Sequence, residues 1–109
     1  FAGKMHALLF RAWKNRVKGR DWYDFEWYVR KGIALDFRHF CRRAYQFASV
    51  PENSLTMENF QQLLLDKIRQ IRFSSAIDDV RPFIREHDSL QLWSADYFEQ
   101  VCHLMRIQN

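Results

Sequence analysis

Two short stretches near the amino terminus carry the groups best suited to chemistry. Gly3-Lys4-Met5-His6-Ala7-Leu8-Leu9 offers an ammonium, and Gly19-Arg20-Asp21-Trp22-Tyr23-Asp24-Phe25 offers a guanidinium and two carboxylates. In phosphoryl or nucleotidyl transfer a protein mainly positions groups and neutralises phosphate charge, a task that suits lysine. A carboxylate beside it can hold the lysine in place or orient an attacking hydroxyl. On a helix, residues three, four or seven apart share a face. Lys4, Leu8 and Arg11 therefore line one stripe, and Asp21 and Asp24 are neighbours on another. Two such helices folded against each other set a cation beside carboxylates at the edge of an aromatic core. The same pair also serves as a plain structural ion pair, and spacing alone does not separate the two uses.

Lys4 and Asp24, with Arg11, Lys18, Arg20 and Asp21, are the charged groups these stretches offer to a nucleotide or phosphate, and on spacing alone a structural pairing of Lys4 is the commoner use. Arg20 serves equally as an ion-pair partner, and Asp21 equally as a helix-start charge set against the dipole. Lys14, Arg16 and Lys18 form a basic spacer that can brace a triphosphate, an RNA backbone or only solvent. Trp22, Tyr23, Phe25, Trp27 and Tyr28 are dense enough for base stacking, but their spacing favours a core role for Trp22 and Phe25. Other chemistries fall away. His6, His39, His87 and His103 lack metal-site spacing with Cys41 and Cys102, so no metal site is expected in this chain. His6 reads as a polar residue on the helix face opposite Lys4. There is no glycine-rich phosphate loop and no serine or cysteine in a nucleophile setting. A helix opening at Arg20 is too aromatic to lie in a DNA major groove.

The elements that must position these groups read as helices. Only three Gly and two Pro punctuate 109 residues, which favours one all-α domain over 1–109, a compact bundle of about six helices. Met5, Leu8, Leu9, Ala12 and Trp13 mark a helix over 2–14; Trp22, Phe25 and Val29 mark a second over 20–31, closed by Gly32. Asp36 caps a third, with Phe37, Phe40, Cys41, Ala44 and Phe47 inward, and Thr56 caps a fourth, with Phe60, Leu63, Leu64 and Ile68 inward. Phe73 to about Ile84 reads as a fifth that Pro82 kinks or ends early, and Ser94 caps a last one carrying Phe98, Val101, Cys102 and Met105. No segment alternates well enough for a strand. Residues 1–43 carry eleven Lys or Arg against four Asp or Glu, whereas residues 44–109 carry six against nine. The basic half holds the candidate site; a field of that sign attracts phosphates, and an ordinary solvated basic face accounts for the charge equally well. No apolar run reaches the ~18 residues of a membrane span, and two scattered cysteines read as core residues, so a cytoplasmic protein is the expectation.

Lys4-x-His6-Ala7-Leu8-Leu9, a basic spacer, then Arg20-Asp21-x-x-Asp24 with Trp27 beyond it, resembles the AbiEii family of nucleotidyltransferase toxins of type IV toxin–antitoxin and abortive-infection systems. The run Asp79-Val80-Arg81-Pro82-Phe83-Ile84, followed by Trp93 and Tyr97-Phe98, is similar to the carboxyl-terminal end of those proteins. The resemblance implies that Lys4 contacts the nucleotide and that Asp24 belongs to the active site. It also implies a catalytic lobe with a Gly-Ser or Gly-Thr turn and an Asp-x-Asp metal pair, and neither occurs here. Such carboxylates hold magnesium against the triphosphate. The expectation is therefore the carboxyl-terminal helical part of a larger α+β nucleotidyltransferase, inactive alone. Mg2+ and a nucleoside triphosphate would belong to the full-length protein, with no cofactor in this chain. Expected partners are the triphosphate, a tRNA or other RNA on the basic half, and an antitoxin acting indirectly, but no membrane. A helical RNA-binding module, or a protein-interaction module without catalysis, is the alternative.

Overall fold

Apolar periodicity and local caps lay out six α-helices among the residues described by this computed structural model, which are 1–10, 18–47, 50–51, 54–84 and 88–108. They are α1 (Ala2–Phe10), α2 (Gly19–Arg30), α3 (Phe37–Phe47), α4 (Met57–Gln70), α5 (Phe73–Val80) and α6 (Ala95–Leu104). The radius of gyration is 13.6 Å, close to the ~13 Å of a compact chain this long. The all-α bundle is thus observed. Arg11, Ala12, Trp13, Lys14 and Arg16 lie outside the described residues.

The ends of these helices follow from side-chain chemistry three residues away. The Asp36 carboxylate accepts the His39 N–H at 3.0 Å and opens α3. Thr56 and Asn59 exchange side-chain and backbone bonds of 3.2 and 2.6 Å, a capping box that starts α4. Ser94 Oγ accepts the Tyr97 N–H at 3.1 Å and starts α6. Gly32, at φ +72°, closes α2 in the left-handed region where a Cβ is costly. Pro82 lies beyond the end of α5, inside a 3-10 turn over Arg81–Phe83.

Two aromatic clusters hold the bundle together. Fully buried Phe98 of α6 stacks on Phe73 at 5.0 Å and meets Trp22 and Trp93 edge-on, each at 5.2 Å, joining α2, α5 and α6. Phe40 and Phe60, 5.0 Å apart, join α3 to α4 beside Phe37. Of the positions expected inward, Phe47 and Leu63 prove exposed, at 67% and 40%. Both sit at the margin of an apolar stripe whose centre, Phe40 with Ala44 and Phe60 with Leu64, is fully covered.

The structure also contains a strand pair where none was expected. Leu35–Asp36 (β1) runs parallel to Ile107–Gln108 (β2), with Leu35 opposite Ile107 and the Leu35 N–H donating to Arg106 O at 2.8 Å. Two residues are too few to show alternation, so only the long-range partner reveals them.

Candidate functional site

Helix α1 lies between α2 and α3, so both of its flanks are covered. Met5 and Leu8 enter the core, and His6 is buried against the rings of Phe10 and Phe47. Its face is indeed opposite Lys4, but that face packs on α3. Gly3 on the same side leaves room for the Arg43 guanidinium, which a Cβ would approach to 3.8 Å.

Lys4 leaves the α2 flank and reaches both aspartates of the Arg-Asp-x-x-Asp stretch. Its Nζ lies 2.9 Å from Asp21 Oδ1 and 2.9 Å from Asp24 Oδ2. The three side chains differ in exposure: 11% for Asp21, 29% for Lys4 and 42% for Asp24. Asp21 is thus the anchor, and Asp24 faces solvent. Partial burial pulls the Lys4 pKa down. The hydrogen bonds to Asp24 and Asp21, and their charges, outweigh it and raise the pKa above its ordinary 10.5. The ammonium stays charged at neutral pH, with two of its three N–H bonds committed.

Gly19 sets the register of this helix. A Cβ there would fall 2.0 Å from the carbonyl oxygen of Ala76, so α2 approaches α5 at a distance only glycine permits. The Gly19 N–H donates to Asp79 Oδ2 at 2.9 Å, supplying from α5 the cap that Lys18 does not provide. Two residues later comes Asp21, its position fixed by that docking. Asp79 was visible in the sequence only as part of the Asp-Val-Arg-Pro run. Its role as a distant cap left no local signal.

Of the remaining candidates, Arg20 and Lys18 lie among the described residues. Arg20 lies over the Phe83 ring, 4.4 Å from its centroid, and makes no ion pair among the described residues. Lys18 precedes α2 and is half-buried. Arg11 lies outside the described residues, as do Lys14 and Arg16 of the basic spacer. Trp22 and Phe25 are core residues as expected, Tyr23 packs on the core margin, and Trp27 is 41% exposed with Lys31 beside its ring.

Sequence reasoning missed Glu26. This carboxylate is buried and accepts hydrogen bonds from Trp93 Nε1 at 3.1 Å, from the Tyr97 hydroxyl at 2.7 Å and from Arg30. Burial, with the Glu26 bond and charge, pushes the Tyr97 hydroxyl up to about 12. Bonded to an indole, a phenol and a guanidinium, Glu26 ties α2 to Trp93 and to Tyr97 of α6.

A magnesium ion does not fit the triad, because the carboxylates that would hold it converge on an ammonium. Among the described residues no three His, Cys, Asp or Glu side chains gather to hold a metal ion.

Residues 1–101 match the family described as nucleotidyl transferase AbiEii toxin, type IV TA system. The chain belongs to the AbiEii family. That description places these toxins in toxin–antitoxin systems, so an antitoxin is the family's implied partner. No curated protein and no solved structure matches the chain. No helix among the described residues is long and apolar enough to cross a membrane.

Proposed function

We propose that this chain is the helical part of an AbiEii-type nucleotidyltransferase, and that Lys4 and Asp24 form one wall of its transfer site. The observation that carries the reading is the placement of Lys4, held at 2.9 Å by two aspartates and still partly open to solvent. A lysine used only to close a buried pair needs one carboxylate, not an exposed second. Asp21 fixes the side chain, the raised pKa keeps it cationic, and its third N–H is free in number to donate to a phosphate oxygen. Asp24, the most exposed of the three, is placed to steer the ammonium or to accept a hydrogen bond from an attacking hydroxyl.

The triad carries a formal charge of −1 when both aspartates are ionised, so it does not draw in a triphosphate by itself. Arg11, Lys18, Arg20 and the basic spacer are the groups proposed to supply that attraction, with Asp21 acting through Lys4. Any magnesium belongs to carboxylates outside these residues and supplies charge neutralisation at the triphosphate. This chain alone is then inactive in transfer, and it joins the carboxyl-terminal side of the catalytic lobe that the family resemblance implies.

The test uses the full-length gene product. Lys4→Ala and Asp24→Ala are made separately, folding is confirmed by circular dichroism, and label transfer from radiolabelled nucleoside triphosphates to total RNA is measured. Each substitution is expected to lower transfer by about 100-fold or more, the scale of losing a positioned charge at a transition state. Full activity in both folded variants assigns the triad to structure and moves the RNA-binding module ahead.

A further inference from the structure

Helix α3 carries three arginines and a histidine and no carboxylate. That composition opposes the local physics of the helix. Arg38 stands in the first turn, where the dipole disfavours a cation, and Arg38 and Arg42 are a like-charged pair one turn apart, which weakens a helix. Neither guanidinium has an ion-pair partner among the described residues, and both are exposed. Asp36, the carboxylate nearest in sequence, is engaged at the helix cap. The two arginines instead line one cavity of about 250 Å3, together with Cys41, Tyr45, Val50, Pro51 and Leu55.

The lining sorts into two halves. Arg38 and Arg42 are fork-shaped donors suited to the oxygens of a phosphate. Tyr45, half exposed, lines the cavity with Val50, Pro51 and Leu55, a phenol and three apolar side chains of the kind that receive a flat ring. At about 250 Å3 the cavity falls just below the ~300–1,000 Å3 of ligand clefts, room for one small ligand unit rather than a polymer. An anion held between Arg38 and Arg42 also relieves their mutual repulsion. The lining shares no residue with Lys4, Asp21 or Asp24, so the inference stands apart from the reading of that triad.

We propose that the cleft that α3 forms with Val50, Pro51 and Leu55 binds a single nucleotide unit, with its phosphate on Arg38 and Arg42 and its base against Tyr45. A free mononucleotide and one unit of an RNA strand offer this same chemistry. The experiment titrates the 15N-labelled chain with adenosine 5′-monophosphate, adenosine, inorganic phosphate and a single-stranded adenosine hexanucleotide, following backbone amide shifts.

Saturable shifts confined to α3, Val50 and Leu55 are expected with the monophosphate, and adenosine and phosphate alone bind about tenfold more weakly or worse. Arg38→Gln with Arg42→Gln lowers the affinity about tenfold or more. Arg42→Lys, which keeps the charge and the fold but loses the fork, lowers it severalfold. Tyr45→Leu weakens the monophosphate but leaves phosphate binding unchanged, whereas Arg69→Gln, on the far Glu99 pair, changes nothing. A hexanucleotide that binds about tenfold tighter through the same amides identifies an RNA strand as the source. Equal affinity identifies the free nucleotide. The proposal is overturned if no shift saturates at millimolar nucleotide, if the shifts fall outside α3, Val50 and Leu55, or if the arginine variants bind as the wild type does.

Discussion

Replacing Lys4 by Met keeps the length and apolar stem of the side chain while removing its charge. What remains is two carboxylates that both aimed at one ammonium from 2.9 Å, so their oxygens start within twice that distance of each other. Two negative charges so placed repel by about 1 kcal/mol in a water-like medium and about 3 kcal/mol at an effective dielectric of ~20. Asp21 is mostly buried and cannot swing away freely, while Asp24 can, so the expected loss lies inside that range, about 1–3 kcal/mol. For a domain of this size the melting temperature falls by about 4–8 °C per kcal/mol. Because the Lys4 pKa is raised on folding, its contribution is complete below the ordinary value of 10.5 and is lost as the pH climbs through the folded value. Urea unfolding of wild type and Lys4→Met at pH 8, and then from pH 10 upward, reads both effects. A gap at pH 8 that closes in the alkaline series is expected. Equal stabilities at pH 8, or a gap that persists undiminished after the lysine has titrated, refute the reasoning.

Gly19→Ala should be costlier than its single methyl suggests, because the new Cβ meets a backbone carbonyl at 2.0 Å and the docking of α2 on α5 must open. A loss of about 2 kcal/mol or more is expected in urea unfolding, and a neutral variant contradicts the close approach. Glu26→Ala strips the partner from Trp93 and Tyr97 at once, and should cost about 2–4 kcal/mol while bringing the Tyr97 ionisation, now near 12, down toward an ordinary phenol in an ultraviolet pH titration of the folded variant. Cys102 is buried and its thiol is pushed up to about 11, so a thiol reagent at pH 8 should label it only as the fold opens. Labelling of Cys102 as fast as that of a small free thiol would contradict its burial.

What the sequence disclosed was chemistry of short reach. Asp36, Thr56 and Ser94 were readable as caps because each bonds a backbone N–H three residues on, whatever the rest of the chain does. The three-residue spacing of Asp21 and Asp24 put them on one face without any knowledge of α1. That Lys4 would reach both depends on how α1 crosses α2, and the docking of α2 on α5 depends on Gly19 meeting Ala76; no local pattern encodes either contact. The same limit hid the Glu26 partners Trp93 and Tyr97, which arrive from the other end of the chain. It hid β1 with β2, where two residues are paired across nearly the whole bundle.

Nucleotide binding at the Lys4 ammonium can be observed without reference to turnover. The side-chain amine resonance of Lys4, assigned by its loss in Lys4→Arg, is followed in the full-length gene product as a non-hydrolysable nucleoside triphosphate is added. A saturable shift of that resonance, at concentrations matching the KM for the triphosphate and absent in a folded Asp21→Asn variant, is the predicted result. A triphosphate that saturates an active enzyme while the Lys4 resonance stays where it was would contradict the assignment of this lysine to the transfer site.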